Sequence, residues 1–103
     1  MWTRFHDMHS GGSQKEQWNL IFIEASQAEA ELIFYNRFGH NPNRVSCTCC
    51  GPDYSIGESE TLDEATRFYD AAVPHYTKLV IPASDIHPWE REGELPEQGY
   101  VWV

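Results

Sequence analysis

Apolar and polar positions alternate along this chain in two rhythms, with clear punctuation between them. In WNLIFIE, residues 18 to 24, Trp18, Leu20 and Phe22 fall on one side of an extended backbone, Ile21 and Ile23 on the other. Apolar side chains on both sides predict a buried central strand. WTRFH, near the start, reads as a shorter strand, and SGGSQKEQ between the two reads as a flexible loop.

A helix is announced by Ser26 and Glu29, the S-x-x-E of a capping box. Ala28, Leu32 and Tyr35 repeat at helical spacing, Arg37 suits the negative C-terminal end, Gly39 is a natural stop and Pro42 lies just beyond. Thr61 and Glu64 open a second helix in the same way, with Leu62, Ala65, Tyr69 and Ala72 as its apolar stripe and Pro74 closing it. KLVIPAS reads as a strand ended by Pro82, hence an edge strand, HPWEREGELPEQG as acidic loop, and YVWV as a final strand. The order β-β-α-loop-(β)-α-β-β predicts an α+β fold. Its two helices are expected on one face of a small antiparallel or mixed sheet.

At 103 residues the chain is expected to form a single domain, residues 1–103. Aromatics at 14%, with four Trp, five Tyr and five Phe, argue against disorder. Sixteen acids against seven Lys and Arg give a net charge of −9, which disfavours non-specific binding to nucleic acid or to an anionic membrane. Neither a signal-peptide run nor a membrane span is read in the sequence, and the three cysteines fit a reducing cytosol better than a disulfide framework.

The three cysteines crowd into CTCCG. Cys47 and Cys50 have the C-x-x-C spacing of a zinc knuckle, followed by Gly51, which permits the turn. A closed structural zinc site needs four ligands, so Cys49 and His40 are the candidate additions, with His9, His75 and His87 more distant. A thioredoxin-like redox pair would place its first cysteine at a helix N-terminus, and no helical pattern follows. Reduced thiols packed in a tight turn are the third reading. All three stand at this point.

Asp7, His9 and Ser10 bring together the residue types of a hydrolytic triad, but triads are assembled by the fold rather than by near neighbours. Gly11 and Gly12, with Arg4, offer amides and a cation to an anion. No acid falls between Glu31 and Asp53, where Arg37, His40 and Arg44 lie, whereas residues 53 to 70 carry six acids and one arginine. Such a flank is either a solvated face or a surface for a basic partner. Tyr54, Tyr76, Trp2, Trp89, Tyr100 and Trp102 exceed what so small a core hides, and residues near loops, Trp89 and Tyr76 above all, are candidate anchors.

Three segments, MWTRF with DMHSGG, FYNRFGHNP, and CTCCGPDYSI, together resemble a group of small uncharacterised proteins encoded by tailed bacteriophages. The resemblance spans about the first two-thirds of the chain and brings no catalytic residue or cofactor. It implies expression in the cytoplasm of an infected bacterium, among small acidic proteins that bind and inhibit host machinery or antiviral defence. The first expectation is therefore a binding protein that occupies a host protein with a basic surface. A small nucleotide ligand is the alternative, held by Arg4, Arg37, Arg44, His40 and a stacking ring. Candidate ligand or partner residues are thus Arg4, His9, Arg37, Arg44, Tyr54 and Trp89. A metal-dependent hydrolase is the last alternative, since no spaced acid–base set is visible.

Overall fold

The computed structural model describes residues 1–9, 14–45 and 51–96. Strands β1 (Trp2–Asp7), β2 (Leu20–Ile23), β3 (Tyr54–Ser59) and β4 (Lys78–Ile81) form one sheet in the order β3-β1-β2-β4. β1 pairs antiparallel with both β2 and β3, while β2 pairs parallel with β4. Helix α1 (Gln27–Phe38) follows β2, and α2 (Leu62–Ala72) follows β3. Two short 3-10 turns, Ala83–Asp85 and Pro88–Arg91, follow β4. The sheet is mixed and the class is α+β.

The two helices take opposite faces of the sheet rather than one. All four residues of β2 are buried, and their alternation feeds two cores. Ile21 and Ile23 join Phe5, Ala30, Ile33, Phe34, Tyr54, Ile81 and Ile86 under α1. Leu20 and Phe22 join Ala65 and Tyr69 under α2, with Trp2, Leu62, Val73 and Tyr76 at the margin. A strand apolar on both sides requires a cover on each side, and each helix supplies one. Full burial of each such side chain contributes about 1.5–3 kcal/mol.

Both helix starts are where the capping residues place them. Ser26 Oγ accepts from the Glu29 amide at 3.5 Å, and Thr61 Oγ1 from the Glu64 amide at 3.1 Å. Glu29 does not complete the box but accepts from Arg91 Nε at 3.0 Å, while Glu58 of β3 accepts from the next amide, Gln27, at 2.8 Å. Gly39 ends α1 at φ 81°, the left-handed conformation that glycine adopts without a steric penalty. The buried stripe of α1 is Ala30, Ile33 and Phe34, not Ala28, Leu32 and Tyr35. Where Phe34 and Tyr35 compete, the wholly apolar ring goes inward, packing on Phe5 with centroids 4.7 Å apart. On α2, Ala65 and Tyr69 are buried as expected, while Ala72 is exposed.

The acidic stretch expected to be loop is partly ordered by a charge. Pro88–Arg91 packs on α1, and the Glu90 side chain is 1% exposed. Its carboxylate accepts from Arg37 Nε at 2.5 Å and Nη2 at 2.7 Å, and from the His87 amide at 2.8 Å. Arg37 Nη2 also reaches the Asp85 carbonyl at 2.9 Å. Asn36 Nδ2 donates to the carbonyls of Glu90 and Glu92. Arg37 thus ties the segment after β4 to α1 instead of merely complementing a helix dipole. β4 sits at a sheet edge, as Pro82 implied. The YVWV strand expected at 100–103 lies outside the described residues.

The Arg37 hydrogen bonds hold the Glu90 carboxyl below its ordinary value of 4.5, overcoming the opposing effect of burial. The unfolded chain therefore binds more protons, so this stabilisation is complete above about pH 4.5 and is lost as pH falls through the lowered value. Glu90→Gln should lower the denaturant midpoint at pH 7 and flatten the pH dependence of stability below pH 4.5. Glu90→Ala should cost about 3 kcal/mol by stranding Arg37. Unchanged neutral-pH stability in both variants would contradict the role given to this pair.

Candidate functional site

Described residues that flank the two segments singled out for chemistry, Asp7–His9 before the first and Arg44 and Asp53 around the second, are linked at one end of the sheet, where β1 finishes and β2 and β3 begin. Asp7, the last residue of β1, is buried, and its carboxylate holds both ends of the first segment. Oδ1 accepts from the His9 amide at 2.8 Å and Oδ2 from the Lys15 amide at 2.7 Å. Asp53 does the equivalent for the second through its backbone. Its amide donates to the Arg44 carbonyl at 3.0 Å, and its carbonyl accepts from the Met8 amide at 2.9 Å. Cys47, Cys49, Cys50, Ser10, Gly11 and Gly12 lie between these anchors, outside the described residues. Trp102 and Tyr100 lie outside them as well.

His40 reaches the same end of the sheet. Its Nε2 lies 3.1 Å from Glu16 Oε1, and its ring meets Phe34 edge-on at 5.3 Å and stacks on Tyr54 at 6.1 Å. The contact engages Nε2 and leaves Nδ1 on the other side of the ring. Among the described residues, no three His, Asp or Glu side chains converge as a metal-holding group. His40 is the one described member of the anticipated zinc set.

Tyr54 was expected as an anchor for a partner but is only 2% exposed. Its hydroxyl is buried without a hydrogen-bond partner. Burial, reinforced by Asp7, Glu16 and Asp53, pushes the phenol far above its ordinary value of 10, so it stays protonated. Arg37 is committed to Glu90, whereas His9 (φ 52°) and Arg44 are exposed beside the two anchored segments. Trp89 is 54% exposed on the 3-10 turn, far along the chain from this cluster. Tyr76 is half-buried against the α2-side core.

The opposite face of β1 carries a second group that sequence reasoning only touched. Trp2, Arg4 and His6 alternate toward α2, while Thr3, Phe5 and Asp7 alternate toward α1. Arg4 lies over Gly57 of β3, its register partner, and its Cζ sits 5.7 Å from the Tyr69 ring centroid. Nη2 donates to Ser55 Oγ at 3.3 Å. Nε is buried without an acceptor, an omission that costs about 1–3 kcal/mol. His6 packs edge-on to Tyr69 at 5.2 Å and against Tyr76 at 5.7 Å. Burial and the nearby Arg4 hold its pKa below the ordinary 6.5.

The acidic flank read over residues 53 to 70 includes the outer face of α2, but Phe68 on that helix was not singled out. Phe68 is 69% exposed, Glu64 is its neighbour one turn earlier, and Glu60, Asp63 and Asp70 are exposed elsewhere on and beside the helix. Arg67 pairs with Asp63 at 2.5 Å, and Lys78 pairs with Asp70. The signal was available in the helical phase: Phe68 falls off the Leu62–Ala65–Tyr69 stripe by about 100°. Among the described residues no ligand-sized pocket indents the surface, and no helix is long and apolar enough to cross a membrane. Comparison with protein-family models, curated proteins and solved structures finds no match to this chain.

The unpaired Tyr54 hydroxyl gives a direct check on this geometry. Tyr54→Phe removes a buried group that makes no hydrogen bond, so its chemical-denaturation midpoint should stay level or rise, by up to about 1 kcal/mol. A loss of more than about 1 kcal/mol would mean that the hydroxyl has a partner.

Proposed function

We propose that this chain is an acidic binding protein that occupies a basic surface on a host protein, with α2 as its contact helix. The observation that carries the reading is Phe68, 69% exposed on a helix whose other exposed residues include Asp63, Glu64 and Asp70. A large ring left in water costs solubility and contributes nothing to folding, whereas an exposed ring on a carboxylate-rich helix suits an interface with an apolar anchor and charged surroundings. The net charge of −9 supports the same choice of partner, because complementary charge speeds encounter and sets orientation. The resemblance to tailed-phage proteins supplies the setting: the cytoplasm of an infected bacterium, with a defence or housekeeping protein as the target.

Affinity capture from host lysate, followed by reconstitution with the purified partner, tests this reading. A near-equimolar partner with a basic face is expected, bound less tightly as salt rises. Phe68→Ser should weaken binding about thirtyfold or more, the scale of an interface hot spot, with little change in melting temperature because the ring is exposed. Undiminished binding by Phe68→Ser, or no direct partner at low ionic strength, would remove the proposal.

A structural zinc is the second element of the proposal, favoured by the His40–Glu16 contact. Histidines that ligate metals characteristically donate their other ring nitrogen to a carboxylate, which fixes tautomer and orientation. His40 Nδ1, Cys47, Cys49 and Cys50 would hold the ion, bracing the segment between α1 and β3. Protein purified without added metal should then carry one zinc, and chelation should lower its melting temperature. Zinc-free protein with a melting temperature indifferent to chelator would return the cysteines to a plain thiol turn.

A further inference from the structure

We propose that Arg4, Ser55 and His6 form a site for a small phosphate-bearing anion on the α2 side of the sheet, separate from the acidic contact helix face. The first argument is charge placement. In a chain with sixteen acidic residues, Arg37, Arg67, Lys78 and Arg91 each pair with a carboxylate, but half-buried Arg4 forms no salt bridge among the described residues. Its neighbours are instead the Ser55 hydroxyl, the Tyr69 ring and the His6 imidazole. A guanidinium that is half out of water and has no counter-charge is short of an acceptor.

The second argument is preorganisation. A Cβ at position 57 would lie 2.9 Å from Arg4 Nη2, 3.3 Å from Cζ and 3.4 Å from Nη1, so the guanidinium rests directly against Gly57 and would have to shift for any larger residue there. Tyr69 covers it at 5.7 Å and Ser55 holds Nη2 at 3.3 Å. Fixing an arginine in this way removes the entropy that a long side chain would otherwise lose on binding. Three fixed contacts orient a fork whose Nη1 is neither hydrogen-bonded nor among the fully buried unsatisfied atoms.

The third argument is the donor set. Ser55 Oγ accepts from Arg4, so its own proton is free to donate outward. His6 is the register partner of Ser55 and lies on the same face. Arg4 from its own strand, Tyr69 from α2 and Tyr76 from the segment before β4 face it, whereas Asp7 projects to the opposite face. An imidazole held neutral by burial beside a cation becomes easier to protonate once a dianion arrives. Two nitrogens of a guanidinium, a hydroxyl and an inducible imidazolium match the several oxygens of a phosphate better than the two of a carboxylate.

Ring and amide NMR of the full chain tests the site with inorganic phosphate as probe, against chloride and acetate at matched ionic strength. Phosphate should shift the Arg4 Nε–H, Ser55, Gly57 and His6 signals with a saturating isotherm, and should raise the His6 pKa. Ser55→Ala should weaken binding about fivefold, the loss of one hydrogen bond. Arg4→Gln should abolish it, and if that variant does not fold, Ser55→Ala decides. Equal shifts with acetate or chloride, no saturation, or full phosphate affinity in Ser55→Ala would overturn the proposal.

Discussion

Everything in this fold depends on burying four consecutive residues, Leu20 to Ile23, on both sides at once. A strand with one polar face could have rested in water with a single helix above it. This one cannot, so α1 must cover Ile21 and Ile23 while α2 covers Leu20 and Phe22. The neighbouring strands inherit the consequence. β1, paired to β2 along Thr3–His6, must also present a side to each helix, and does so with Phe5 on one and Arg4 and His6 on the other. The sheet is therefore a partition between two unlike environments, one nearly dry and aromatic, the other containing uncompensated positive charge.

That partition organises the electrostatics. On the α1 side the charges are resolved internally: Arg37 and Glu90 satisfy one another, and Asp7 gives both oxygens to backbone amides. On the α2 side the carboxylates lie on the outer surface of the helix, while Arg4 lies beneath it. One helix thus separates an acidic exterior from a cationic underside. The proposed protein contact and the proposed anion site are the two faces of that separation, and each can act without occupying the other.

How much of this was legible follows from range. The β2 strand, both N-caps, the Gly39 stop and the β4 edge depend on a few adjacent residues, and reading them required only local geometry. β3 was harder. Its YSIGES composition has little strand character, and it becomes a strand because β1 offers it six register partners. The α1 stripe was misphased because Phe34 and Tyr35 are both apolar enough to go inward, and only the Phe5 ring opposite decides between them. Glu90 looked like one acid among many in a loop until Arg37, far away in sequence, arrived beside it. The helices were placed on one face although the two-sided pattern of β2 already required two. For the candidate sites, Arg4 and His40 were visible as residue types, but their neighbours, Ser55 and Gly57 for Arg4 and Glu16 for His40, carry no sequence signal of their own.

The parallel pairing of β2 with β4 has a further consequence for how the molecule assembles. Asn19 and Thr77, 58 positions apart, exchange backbone and side-chain hydrogen bonds at about 3.0 Å where the two strands begin. During synthesis that latch cannot close until the chain has emerged from the ribosome as far as Thr77. Until then β2 carries an unpaired edge, and the nascent protein is most vulnerable to mispairing and proteolysis. Once the latch closes it fixes the phase of β4, since a slip by one residue would turn Lys78 and Val80 toward the α1 core and Ile81 out to water. A polar pair at the mouth of the sheet thus reinforces the register that the buried apolar positions of β4 also demand.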